Sequence, residues 1–216
     1  MPEYEDEDSM DSDDETDKAA EEWYEHKSAL MEASLGKEHE MVMHAIIPYA
    51  IGGGLDLYYY PNGLPGTAIA TKELSDLPNE GSSNEVYRAY ELVMFTKHRL
   101  NLDTVEDEGT DFGKAHATIN AILNCIARFS AEACLNPNET CEFPEDLERI
   151  RGKCLIFDGY ACHSDDVVED FGLLAIIEVF RSEMEYARQH DGAQLIQRLK
   201  SKGYYAYSDL DRDPVA

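Results

Sequence analysis

The stretch Asp170–Glu185, DFGLLAIIEVFRSEME, decides the fold. Its centre, GLLAIIEVF at Gly172–Phe180, is apolar almost without a break. A strand with one wet face alternates; a continuous apolar run of this length marks a strand covered on both sides, central in its sheet. Directly behind it, Ser182 with Glu185 three residues on has the form of a capping box, which predicts a helix running through Arg188. Asp191-Gly192 perturbs that helix and Gln194–Lys202 resumes it. A doubly covered strand that runs into helices calls for a sheet with helices packed on it.

The flanking sequence supplies the other strands. Glu40–Ile47 alternates, with Met41, Met43, Ala45 and Ile47 set against Glu40, Val42, His44 and Ile46, and Pro48 closes it. Gly52–Gly54 separates this segment from Leu55–Tyr60, which Pro61-Asn62-Gly63 turns back. Thr67–Leu74 and Arg88–Lys97 read as two more strands, joined by the loop Pro78–Asn84, so an antiparallel meander is expected. Phe112–Cys134 is the clearest helix: Ile119, Ile122, Leu123, Ile126, Phe129 and Ala133 share one face, while Lys114, Asn120, Asn124, Arg128 and Glu132 face outward. Cys154–Phe157 is a further strand, and Tyr204–Tyr207 with Asp209–Val215 closes the chain. Order is expected from Ala19, in a helix with Trp23, Leu30, Met31 and Ala33 on one face and Gly36 as its C-cap. The expected fold class is α+β: a largely antiparallel or mixed β-sheet packed by helices over 19–216, preceded by a disordered acidic tail at 1–18.

That tail follows from charge. Residues 1–17 carry ten carboxylates, among them Glu5, Asp6, Glu7, Asp8, Asp11, Asp13, Asp14 and Glu15, and no Lys or Arg. Mutual repulsion and the lack of apolar groups to bury argue against order there. The whole chain sets 18 Lys+Arg against 45 Asp+Glu, a formal net charge of −27 over 216 residues. Phosphate contacts need clustered Lys and Arg, so nucleic acid is excluded as a partner, and an anionic membrane surface with it. A hydrophobic content of 43% excludes a wholly disordered chain. The acidic start is the reverse of a secretory signal, and the apolar runs Met41–Leu55 and Phe171–Phe180 are too short or too interrupted to span a bilayer. Cys125, Cys134, Cys141, Cys154 and Cys162 lie 9, 7, 13 and 8 apart with no CxxC, which suits reduced thiols in a cytoplasmic protein rather than a zinc site.

Candidate chemistry is sparse. Gly52-Gly53-Gly54 lacks the spacing and the lysine of a phosphate loop and reads as a flexible strand connection. Cys162-His163 would point to opposite faces of a strand, and the seven histidines show neither HxH nor HExxH spacing. Glu91, Glu178 and Glu183 could pair as acid and base, but within strands Glu91 and Glu178 are expected to be hydrogen-bonded structural groups. Arg212 is expected to pair with Asp209 or Asp211. No catalytic residue, metal or cofactor is assigned. Binding candidates are the acidic tail, the acidic patch Glu106, Asp107 and Glu108 within the loop Asn101–Asp111, and Tyr58 and Tyr60. In the run Tyr58-Tyr59-Tyr60 one strand face carries two rings, as a protein interface or a helix-covered core would both require.

Ordered pieces of the chain resemble the suppressor-of-fused domain family. GTAIATKELSD (Gly66–Asp76) followed by AYELVMF (Ala89–Phe95) is similar to that family's "GLSD"-like strand end and "FELTF"-like strand. The helix Phe112–Cys134 sits where the family has its main helix. The closing order, DFGLLAIIEVFRSEME, HDGAQLIQRLK (His190–Lys200) and YSDLDRDPV (Tyr207–Val215), follows the family's apolar strand, acidic helix start, second helix and terminal "D-x-x-R". The likeness covers Gly36–Ala216. It implies binding rather than catalysis. The animal member is similar in only one of its two lobes and sequesters a transcription factor, a role that needs the second lobe. Short single-domain bacterial members resemble cytoplasmic immunity proteins, and the resemblance implies a cognate toxin domain as partner. Given the charge, that toxin is expected to be basic, a nuclease or a nucleotide-using transferase. The alternatives are an enzyme that reverses a toxin's modification and an acidic regulatory scaffold for a basic protein.

Overall fold

The apolar run forms strand β7 (Gly172–Val179), and it lies inside the sheet between β4 (Tyr90–Thr96) and β6 (Cys154–Tyr160). The computed structural model describes residues 8–161 and 168–216. Every residue of β4 is buried, as is every residue of β7 after Gly172, because both faces are covered. With β1 (Val42–Met43), β2 (Leu57–Tyr60), β3 (Thr67–Ala70) and β5 (Thr140–Glu142), the sheet has 7 strands among the described residues, in the order β1-β2-β3-β4-β7-β6-β5. β1 to β4 form the expected antiparallel meander, β6 pairs antiparallel with β7, and β4 pairs parallel with β7. The fold is thus α+β with a mostly antiparallel sheet.

Differences from the sequence reading have local causes. The first strand pairs only at Val42 and Met43 because the Asp56 carboxylate accepts the Ala45 N–H at 2.8 Å, which ends the ladder. The Thr-Cys-Glu strand β5 is too short and too half-exposed to show a period. The main helix is α2 (Asp111–Ser130), with Thr110 capping the Gly113 N–H at 3.1 Å, and it stops before the expected Cys134. Helix α3 (Arg181–Gln189) starts one step behind Phe180, so the box falls on Glu183, which accepts the Phe180 N–H at 2.9 Å, and not on Ser182 with Glu185. The strand end fixes the cap position there, although Phe180 has no oxygen to offer. Helix α4 (Gly192–Lys202) is capped by Asp191 through the Ala193 N–H at 3.0 Å.

Helices cover the two sheet faces unequally. On one, α1 (Asp8–Leu35), α3 and α4 bury Trp23, Met31, Met184, Leu195 and Leu199 against Tyr58, Tyr60, Val93 and Phe95. On the other, Ile119, Ile122, Leu123 and Ile126 of α2 cover Tyr59, Leu92 and Met94. The Tyr59 hydroxyl meets His116 Nε2 at 2.9 Å and ties α2 to β2; burial pushes the His116 imidazole down.

The first helix begins at Asp8, not near Ala19, so residues 8–18 of the segment expected to be disordered lie in its opening turns. Extending a helix costs far less than nucleating one, and carboxylates suit its N-terminal end. Its buried stripe is Trp23, Lys27, Met31 and Leu35, at four-residue steps; Leu30, assigned to that face from the sequence, is 40% exposed. The lysine belongs in the stripe because its Nζ donates to Lys72 O and Ser75 O, each at 2.6 Å, and to Glu91 Oε1 at 3.1 Å. Glu91, in β4, also accepts from Thr71 Oγ1 at 2.6 Å and from the N–H groups of Leu74 and Ser75. Glu91 is therefore a hydrogen-bonded structural group: it locks α1 and the Thr71–Ser75 turn onto the sheet.

Candidate functional site

β4 and β7 are parallel neighbours whose onward connections part. From β4 the chain goes to α2 on one face; from β7 it goes to α3 on the other. In open parallel α/β sheets the crevice beyond the carboxyl ends of such a pair takes ligands. The ladder joins only Tyr90–Val93 to Gly172–Ala175, after which the strands separate and the C-terminal segment enters between them. Ser208 N donates to Phe95 O at 2.9 Å, and Ser208 Oγ accepts from Glu178 N at 3.2 Å and donates to Ile176 O at 3.3 Å. Asp209 accepts from Thr96 Oγ1 and from Lys97 N, each at 2.8 Å. The segment thus supplies the hydrogen bonds the splayed strands would otherwise lack.

Between this segment and the first turns of α2 lies a cavity of about 490 Å³, with His98, Asp111, Lys114, Lys153, Glu178 and Asp211 in its wall. That volume is in the range of small-ligand sites, roughly 300–1,000 Å³. Lys153 Nζ meets Glu178 Oε1 at 2.6 Å; burial nevertheless pushes the Glu178 carboxyl up. His98 Nε2 lies 3.3 Å from Asp209 Oδ1, and Lys97 pairs with Asp211, holding that carboxyl below its usual range. Thr96, His98 and Asp209 contain the residue types of a hydroxyl relay in the wrong order. The hydroxyl and the imidazole both meet the same Asp209 oxygen instead of each other, so the imidazole cannot take the hydroxyl's proton.

The structure scatters the binding candidates. Glu106, Asp107 and Glu108 are exposed just before α2, at the crevice end. Asp107 caps Gly109 N at 2.9 Å, and Glu108 pairs with Arg149 at 2.7 Å, which lowers its carboxyl. Glu15 is exposed in α1. Asp8, Asp11, Asp13 and Asp14 belong to the same helix, but their side chains, like Glu5, Asp6 and Glu7 altogether, lie outside the described residues, as does Cys162-His163. Trp23 seats α1 against Ser75 and Phe171, near the starts of β4 and β7, so the acidic helix start and the Glu106–Glu108 patch lie at opposite ends of the sheet. Tyr58 and Tyr60 are not exposed; α1 covers them at 8% and 0% exposure, and Tyr60 donates to Glu38 at 2.8 Å. Alternation placed them on one face correctly but could not show that a helix lies over it.

Arg212 does not pair with Asp209 or Asp211. Its guanidinium grips Glu183 at 2.6 and 2.8 Å, and Val215 N donates to the same carboxylate at 2.8 Å. Glu183, in the first turn of α3, is thereby the anchor of the C-terminal segment. The crevice residues Ser208, Asp209 and His98 carry no local signal in the sequence; only the "DLDRD" spacing hinted at an anchored end.

Sheet order, helix placement and the C-terminal insertion make an α+β domain whose fold is like that of Suppressor of Fused. The particular likenesses are to solved structures. A chain in the Sufu–Fu complex crystal structure is similar with a TM-score of 0.58 and 16% identity, over 91% of this chain and 92% of that one. Drosophila Suppressor of Fused is similar with a TM-score of 0.52 and 18% identity, over 82% of this chain but only 45% of its own. No family model and no curated protein sequence matches the chain. Among the described residues no group of three or more His, Cys, Asp or Glu could hold a metal ion, and no helix is long and apolar enough to cross a membrane.

Proposed function

We propose that this chain is a cytoplasmic, non-enzymatic inhibitor of immunity-protein type, which binds one cognate toxin domain and occludes its active or target-binding site. The observation that carries this reading is the fold likeness along nearly the whole chain to a protein solved in complex with a protein partner, Fu. The formal charge of −27 gives the partner its chemistry: a basic surface, as a nuclease or a nucleotide-using transferase would present. The exposed carboxylates of Glu106, Asp107 and Glu108 beside the β4–β7 crevice and of Glu15, Asp17 and Glu21 in α1 offer acidic contact at both ends of the sheet.

Co-expression with the toxin domain encoded beside it provides the test. A stoichiometric complex on purification, and survival of intoxicated cells in proportion to the amount of this protein, are expected. Absence of both, or protection by purified protein at amounts far below the toxin's, refutes inhibition by occlusion.

A further inference from the structure

Loop 44–54, between β1 and β2, exposes large aliphatic side chains on a rigid support. Ile46 is 102% exposed, Ile51 76% and Ile47 55%. Apolar groups standing this far into water lose free energy that burial would return, and a cluster of them marks a contact surface. Nothing about the loop is loose. Gly54 N donates to Ile47 O and Gly53 N to Pro48 O, each at 3.0 Å, and Gly52 N donates to Tyr49 O at 2.9 Å. From α2, Arg128 donates to Gly53 O, and Tyr49 Oη donates to Ala127 O, each at 2.9 Å. Asn124 accepts the Leu55 N–H at 2.9 Å. The glycine run read from the sequence as a flexible connection is a close turn: a Cβ on Gly53 would lie 1.8 Å from Ile47 O. A protein that pins three exposed isoleucines with this many hydrogen bonds has already met the ordering cost of a contact.

We propose that Ile46, Ile47 and Ile51 form a preformed apolar knob that inserts into an apolar cleft with a basic rim on a protein partner; this rests on the inhibitor reading and names the contact it uses. The rim chemistry follows from what surrounds the knob. Asp56 stands behind it, bound to His44 at 2.6 Å, and the body that carries it is strongly acidic, with a formal charge of −27 over the chain. Tyr24 of α1 reaches the neighbouring strand, where Lys72 Nζ sits 4.9 Å from its ring and 4.8 Å from that of Tyr58. Asp17 and Glu21 lie on the same helix face as Tyr24 and form an acidic ridge across the sheet from the α2 side that holds the knob. The nearby cations are engaged within the chain: Arg128 on the glycine carbonyls, Lys72 on Glu38. A second copy is the wrong occupant, since it would bring another −27 against the same edge.

The test compares full-length protein with Ile46→Asp/Ile51→Asp, both residues being exposed so that folding is kept, and with Leu30→Asp as an exposed apolar control off the knob. Affinity for the toxin domain encoded beside it is measured by calorimetry, and melting temperature alongside. The double substitution should weaken binding roughly 100-fold, as loss of an interface centre does. Leu30→Asp should change it less than threefold, with melting temperatures unaltered. A complex of unchanged affinity in the double variant overturns the knob and leaves the inhibitor reading standing. If wild type forms no such complex, the inhibitor reading fails, and a photo-crosslinker at position 46 in the source cells decides the knob separately. A single basic protein whose purified form binds wild type and loses affinity for the double variant supports it; adducts with this chain alone, or none, overturn it.

Discussion

Replacing Lys27 with Met tests the central packing claim. Lys27 is 1% exposed and all three ammonium protons are placed, on Lys72 O, Ser75 O and Glu91 Oε1. Methionine matches the stem's length, so the substitution removes charge and donors and leaves little cavity. Breaking one half of a buried ion pair costs about 3–5 kcal/mol, because the other charge stays buried without its counter-ion. Glu91 keeps donors from Thr71, Leu74 and Ser75, which places the expected loss near the lower end, about 3 kcal/mol. With a urea dependence of about 2 kcal/mol per molar, the midpoint should fall by about 1.5 M. Urea denaturation followed by the fluorescence of Trp23, four residues from the substitution, gives the shift and reports on α1 itself. Lys27→Met/Glu91→Gln should recover part of the loss, since no unpaired charge then remains. A shift under about 0.3 M, or no recovery in the double variant, would refute a buried pair as the lock between α1 and the sheet.

Other expectations follow from single sites. Burial raises the Glu178 carboxyl above its ordinary 4.5, so its protonated form is favoured by folding, and that contribution, full below 4.5, is lost as pH rises through the raised value. Glu178→Gln should therefore gain on wild type between pH 4 and pH 7 in denaturation series, and a gap that widens the other way would contradict the direction. Gly53→Ala should cost about 2 kcal/mol and speed hydrogen exchange at the Gly54 amide, as the added carbon collides with Ile47 O. Deleting residues 1–17 should leave the melting temperature nearly unchanged, because the buried stripe of α1 starts at Trp23, while slowing association with a basic partner and flattening its salt dependence. A large loss of stability on that deletion would show that the acidic start packs on the body.

Periodicity and local stereochemistry made most elements legible. The run at 172–180 announced a central strand, the alternating meander its antiparallel pairing, and Ile119 to Ile126 a helix with one buried face, because each signal is written in side chains a few positions apart. The site was not legible in the same way. Alternation set Tyr58 and Tyr60 on one side of their strand but was silent on the cover that α1 gives them. Nothing local marks Lys27 for burial, since its burial depends on carbonyls 45 and 48 positions away and on a carboxylate 64 away. The parallel pairing of β4 with β7, the insertion of Ser208 and Asp209 at their parting, and the grip of Arg212 on Glu183 join the two ends of the chain. So composition and periodicity determined the class of fold and the strong acidity. Which residues share the crevice, and which isoleucines stand in water, was decided by long-range contacts, whose partners are chosen by the closing of the whole sheet and leave no mark in any one stretch of sequence.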